Sequence, residues 1–237
     1  MTFIEKLEPR DIIRQARAKG QSALGEYEAK CFLSCFGIPL NREALVNDAN
    51  SAAAEAAKIG FPVVLKASGA YLYHKTEVGG VVSNPRTKEQ VRKASERLLK
   101  ISGCDALLVQ EMVSGERELV CGLTRVDQFG PCVMFGFGGI FTELVKDAVF
   151  RIAPLTSGDA REMVKEIRFQ NLTGSFRGQS GVGMDKLSQV LVALGAHELA
   201  KKKLHAFNRA QWCEHFPQYP HFVQDILFDE EFFFPCP

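Results

Sequence analysis

No apolar run in this 237-residue chain reaches 18 residues, so no segment reads as a membrane-spanning helix. Charge of either sign is not in excess. A formal net charge of +1 gives no reason to invoke nucleic acid or a membrane surface. The opening residues, Met1-Thr2-Phe3-Ile4-Glu5-Lys6-Leu7-Glu8, lack the basic-then-apolar order of a secretory signal. Paired cysteine spacings are also missing. The seven cysteines (31, 35, 104, 121, 132, 213, 236) are odd in number, and only Cys31 and Cys35 lie at a short spacing. Without a second pair they make no zinc motif, and they are expected to be free thiols in a reducing compartment. These absences predict a cytoplasmic protein with no nucleic-acid and no membrane partner. What is present, 46% hydrophobic and 24% charged residues, suffices for one large or two small domains.

Periodicity predicts helices over 9–20, 25–36, 47–59, 88–102, 158–170 and 185–203, and strands over 62–67, 106–113, 117–126 and 131–136. Gly37-Ile38-Pro39 stops the second helix in the expected order, glycine first and proline after. Val149-Phe150-Arg151-Ile152 has β character, although Glu143, Asp147 and Arg151 recur every four residues. Helices interleaved with strands, followed by adjacent strands, predict an α+β fold in two lobes. From Lys201 onward the composition changes. Glycine is absent, whereas the single tryptophan, seven of eighteen phenylalanines and three of five histidines gather there. That stretch reads as an atypical tail, apart from the design of residues 1–200.

The chemistry concentrates between Gly60 and Val82. An apolar strand, Val63-Val64-Leu65, ends on Lys66 and leads into a loop bearing His74-Lys75 and Gly79-Gly80. A lysine at a strand end can set a point charge on a phosphate, while a glycine-containing loop lets backbone N–H groups approach closely. Histidine adds a group able to accept a phosphoryl or a proton near neutral pH. The plainer readings are a snorkelling lysine and a solvent-exposed histidine. Gly136-Phe137-Gly138-Gly139 is not a dinucleotide fingerprint, because its third glycine is misplaced and no acidic residue follows at the right distance. A glycine loop over phosphates suits its strand context better.

Several ordered motifs carry a resemblance. They are Leu24-Gly25-Glu26-Tyr27-Glu28-Ala29-Lys30, Phe36-Gly37-Ile38-Pro39, Val64-Leu65-Lys66 and His74-Lys75-Thr76-Glu77-Val78-Gly79-Gly80-Val81. Beyond them come Val109-Gln110-Glu111-Met112-Val113, Gly115-Glu116-Arg117-Glu118-Leu119, Gly136 to Glu143 and Lys146 to Leu155. Together, over about residues 10–200, they resemble the ATP-grasp (β-type) subunit of ADP-forming acetyl-CoA or acyl-CoA synthetases. The resemblance implies an ATP-grasp fold of two α+β lobes with nucleotide between them. The lobes are expected at 1–113 and 114–200, the second one incomplete, with the tail at 201–237. It also implies a reversible reaction of acyl-CoA, ADP and phosphate to carboxylate, CoA and ATP through phosphohistidine transfer. CoA, carboxylate and phosphate are expected on a CoA-binding α-type subunit or domain.

Carried over residue by residue, the resemblance makes His74 the catalytic phosphoryl carrier. It makes Lys66 a contact to the α- and β-phosphates, and gives Glu111, Met112 and Val113 to adenine. Glu118 goes to the ribose, and Gly138, Gly139 and Arg151 to the phosphates. A solvated strand-end carboxylate remains an alternative for Glu111, and a structural ion pair for Arg151. Cofactors implied are ATP or ADP and Mg²⁺, the metal held by an acidic-x-Asn-Pro-Leu strand and a later aspartate. That pattern is not found. Asn208 precedes Arg209, and Asp225 and Asp229 stand in other surroundings, so the metal ligands are unassigned. Two function classes follow: a synthetase subunit, or a nucleotide-binding module that lost turnover with its altered C-terminus.

Overall fold

The computed structural model describes residues 8–21, 23–69, 72, 78–113, 117–126, 128–138, 147–168, 173–174, 181–196, 204–212 and 226–228. In chain order the elements are α1 (Pro9–Ala18), β1 (Ala23–Leu24), α2 (Glu26–Ser34), β2 (Glu43–Val46), α3 (Ala49–Ile59), β3 (Val63–Ser68), β4 (Val81–Ser83) and α4 (Lys88–Leu98). They continue with β5 (Ala106–Glu111), β6 (Arg117–Val126), β7 (Gly130–Phe137), β8 (Ala148–Ile152), α5 (Ser157–Glu166), α6 (Met184–Leu194), β9 (Leu204–Trp212) and β10 (Ile226–Phe228). The chain divides into two compact units, one of residues 1–6 and 41–113, the other of residues 7–40 and 114–237.

The first unit is a four-stranded antiparallel sheet, β2-β5-β3-β4, with α3 and α4 on one face. Alternation decides which side chains meet the helices. Val63, Leu65 and Ala67 of β3, with Leu107 and Val109 of β5, join Ala52, Ala53 and Ala56 of α3 and Val91 and Leu98 of α4. Three buried alanines on α3 let that helix lie close to the sheet. Asp48 caps α3, accepting from Asn50 N at 2.8 Å and Ser51 N at 2.9 Å. Thr87 caps α4 through Gln90 N.

The second unit is a six-stranded sheet, β1-β10-β9-β6-β7-β8. Leu119, Cys121 and Leu123 of β6 and Val133, Phe135 and Phe137 of β7 are buried. Helix α6 lies against β6 and β7, and α5 against β8 and α6. On the opposite side of edge strand β8, Phe150 and Ile152 are exposed. Thr156 and Asp159 cap α5 reciprocally, the threonine hydroxyl donating to the carboxylate at 2.6 Å.

Predicted elements are found within a few residues, and five strands were not forecast as such: β1, β2, β4, β9 and β10. The helix expected over 185–203 stops at Leu194, where Gly195 follows. Strands β9 and β10 fall in the stretch set apart by composition. Their backbone nonetheless pairs, β9 with β6 from Arg117–Trp212 to Leu123–Ala206, and β10 with β9 and β1. A ladder is made by backbone groups, so unusual side chains do not prevent it. No helix among the described residues is long and apolar enough to cross a membrane.

Asp48 and Asp159 both have carboxyl groups held below their ordinary range. The first cause is the hydrogen bond from the Ser51 side chain and from the Thr156 side chain, respectively. A lowered folded-state value gives stability that is present above the unfolded carboxylate range, about pH 3.9, and is lost as pH falls through the folded values. Asparagine can cap without titrating. The thermal midpoint of the Asp48→Asn, Asp159→Asn double variant should therefore fall less than wild type on acidification below about pH 4. Parallel acid curves for the two proteins would exclude these caps as the acid-labile groups.

Candidate functional site

Lys66 sits inside β3, opposite Leu108 of β5 and Val81 of β4. It shares a face with Val64, the face turned from α3 and α4. Strand β5 leaves the sheet through Glu111, Met112 and Val113, and this exit is fixed. Glu111 N donates to Arg42 O at 2.8 Å, and Met112 N donates to Pro62 O at 3.3 Å. The Arg42 guanidinium binds the Glu111 carboxylate with both prongs, Nε at 3.0 Å and Nη2 at 2.9 Å. The Glu111 side chain is thus engaged by Arg42, and the N–H groups of Glu111 and Met112 are engaged within the same unit.

Behind it, Gln110 is fully buried and donates from Nε2 to Glu43 at 2.6 Å. Asn41 is also buried. Arg42, Glu43, Gln110 and Asn41 were missed from sequence. The signal lies in pairing between residues nearly seventy positions apart, which no local pattern carries. At the other end of β3, a Cβ on Gly69 would stand 1.8 Å from the Gly103 carbonyl oxygen. Only glycine fits at this end of β3. His74 itself lies outside the described residues.

In the second unit, two predicted residues come together. Glu118 on β6 faces Gly138, whose N–H donates to the Glu118 carbonyl at 2.7 Å. A Cβ on Gly138 would lie 3.0 Å from Glu118 Cβ, and one on Gly136 would lie 2.7 Å from the Asp147 carbonyl. Close backbone packing accounts for both of these glycines. Gly139 is outside the described residues. Arg151 pairs in register with buried Val133, on the helix-covered face. Its guanidinium donates to Glu166 of α5 and to the Phe150 carbonyl. The ion-pair alternative for Arg151 is present in the structure, and a phosphate would have to compete with Glu166 for it.

Other groups are quiet. Burial pushes the Cys121 thiol up to about 12 and raises Cys132 in the same way, so neither is a thiolate nucleophile. All five described cysteines are free. Among the described residues no three His, Cys, Asp or Glu side chains gather as a metal site. Asn208 occupies the β9 position opposite Cys121.

Comparison with known proteins decides the family. A family model described as an ATP-grasp domain matches residues 15–200. The chain belongs to the ATP-grasp family. It is 36% identical over 193 residues to the β subunit of ADP-forming acetate–CoA ligase I of Pyrococcus furiosus, covering 78% of this chain and 83% of that protein. The ligase II β subunit of the same organism is 34% identical over 76% of this chain and 80% of its own length. These matches place this ATP-grasp chain in the β-subunit family of ADP-forming acetate–CoA ligases. A longer relative, acetate–CoA ligase II of Archaeoglobus fulgidus, is 36% identical, and the match spans 26% of its length. Acetyl-coenzyme A synthetase 1 of Candidatus Korarchaeum cryptofilum, solved with coenzyme A and Ca-AMPCP, superposes with a TM-score of 0.85 at 35% identity. That superposition covers 93% of this chain and all of the other, more than the family model matches.

The tight contact at Gly138 is open to test. Gly138→Ala should lower stability by about 1–3 kcal/mol, the usual cost of overpacking. Gly158→Ala, inside α5 where the nearest atom is 3.5 Å away, should raise it by about 0.5–1 kcal/mol. Denaturant midpoints measure both, and a stable Gly138→Ala protein would show that this contact is slack.

Proposed function

We propose that this chain is the nucleotide-binding subunit of an ADP-forming acyl-CoA synthetase. The observation that carries the reading is Lys66 on β3, held in register beside β5, whose end presents the fixed backbone of Glu111 to Val113. A lysine ammonium and a strand-end backbone are complementary to the two ends of an adenine nucleotide. The acetate–CoA ligase relatives and the AMPCP and AMPPCP complexes of the Korarchaeum protein support the same reading.

In this reading residues 1–113 and 114–200 are the functional lobes. Lys66 neutralises the α- and β-phosphates, Glu111 to Val113 hold adenine, and Glu118 holds the ribose. Gly138 and Gly139 bring backbone to the phosphates, with Arg151 beside them. His74 carries the phosphoryl group between a partner and the nucleotide. In the ATP-forming direction the N–P bond of the phosphoimidazole, protonated on its other ring nitrogen, breaks, a β-phosphate oxygen of ADP forms the new P–O bond, and the imidazole keeps that proton and is released neutral. A relay splits one long transfer into two short ones. Imidazole is a workable carrier because its phosphoramidate is labile.

Magnesium enters this reading only as the nucleotide's own counter-ion, supplying charge neutralisation, as in the Mg-AMPPCP complex of the relative. The partner is a CoA-binding α-type subunit or domain that supplies CoA, carboxylate and phosphate chemistry. Single-chain relatives several times the matched length agree with such a division. Free cysteines throughout the described residues agree with a cytoplasmic setting.

Calorimetry with ADP is the direct test. Lys66→Ala should weaken ADP by roughly 10–100-fold, the loss of a charged hydrogen bond. Equal affinity in the two proteins would remove Lys66 from the phosphate site. With the α-type partner and its substrates, the chain should also take up an acid-labile, base-stable phosphoryl label. Undiminished labelling of His74→Asn would rule out the relay through that residue.

A further inference from the structure

Asn41 is 4% exposed, and neither its Oδ1 nor its Nδ2 has a hydrogen-bond partner among the described residues. A buried amide without partners is destabilising, and such groups in native proteins call for a cause. The position of this one is informative. Glu43 pairs with Gln110, and the Arg42 carbonyl accepts from Glu111 N, so the antiparallel register continues to set Asn41 beside Met112. Two-residue alternation puts Asn41 with Glu43 and Gln110, on the sheet face that also carries Lys66. The Glu43–Gln110 hydrogen bond, at 2.6 Å, holds the neighbouring rung rigid. The unpartnered amide therefore lies at the β5 exit, beside the backbone assigned to the base.

We propose that Asn41 reads the nucleobase. The inference rests on the nucleotide-binding reading above and adds a specificity-determining residue to it. A carboxamide presents one acceptor and one donor side by side. Oδ1 accepts from the exocyclic amine of adenine, and Nδ2 donates to the adjacent ring nitrogen. The amide pays for its burial when the base arrives. An aspartate in its place presents two acceptors, which match the adjacent N1–H and N2–H donors of guanine. A leucine presents neither.

Calorimetry on the full chain with ADP, GDP and inorganic pyrophosphate tests this. Asn41→Leu should lower ADP affinity about tenfold, the worth of one two-point base contact, with pyrophosphate binding unchanged. Its thermal midpoint should be equal or higher, because an unpartnered buried amide has been removed. Asn41→Asp should shift the ratio of affinities from ADP toward GDP. Lys66→Ala should weaken ADP, GDP and pyrophosphate together. Asn41→Ala is read in the same way if Asn41→Leu does not fold. An unchanged ADP to GDP ratio in these variants overturns the assignment, as does a parallel loss of all three ligands. A wild-type chain that binds no ADP overturns the nucleotide reading itself, a result distinct from either.

Discussion

The 41–113 unit depends on the register of β5. Leu107, Leu108, Val109 and Gln110 are all fully buried, and the strand is paired on both sides, by β2 and by β3. A slip of one residue would carry Gln110 into the face packed on α3 and α4 and turn Val109 out of it. Both ends are therefore pinned. At one end stand the Arg42–Glu111 pair and the Glu43–Gln110 hydrogen bond. At the other, Asp105 N donates to Ser68 O at 2.8 Å and Gly69 lies directly on the Gly103 carbonyl. Because Lys66 is in register with Leu108, fixing β5 also fixes the lysine relative to the strand exit at 111–113. Positioning of this kind is what phosphoryl transfer chiefly needs from a protein.

The second unit solves a different packing problem. Its ladder brings β6, β7 and β8 into such close approach that side chains at Gly136 and Gly138 would strike Asp147 and Glu118. The same glycines that a phosphate loop would use are thus demanded by the strands themselves. Their presence in the sequence cannot by itself tell the two uses apart. The Glu118–Gly138 contact does more, since it joins the ribose candidate and the loop candidate through one 2.7 Å backbone hydrogen bond.

Much of this was legible in the residues. The alanine-rich α3 and the β character of Val149 to Ile152 each carry their structure locally and are where they were read, whereas the strand read as ending on Lys66 runs on to Ser68 and places that lysine inside β3. The ordered motifs gave the family, which the ATP-grasp match over residues 15–200 shows. Other features are not local. The engagement of Glu111 by Arg42 and of Gln110 by Glu43 arises only when β2 pairs with β5. Arg151 shows the converse: its residue type fits a phosphate ligand or an ion pair equally, and only the fold brings Glu166 to it. Strands β9 and β10 were hidden because composition marked their segment as foreign, whereas pairing asks only for extended backbone.

Arg151 and Lys66 finally separate into two kinds of cation. The Arg151 guanidinium is already bonded to Glu166 and to the Phe150 carbonyl, on the face of β8 turned toward the helices. Drawing it to a phosphate means giving up charge-assisted bonds that a planar fork makes well, so its net gain is small. Lysine is a compact point charge on a flexible stem, able to follow phosphate oxygens as they move. Lys66 also lies on the sheet face turned away from α3 and α4, in register with the strand that carries Gln110 and Glu111. Of the two cations, the arginine ties β8 to α5, and the lysine is placed by the register of β3 against β5.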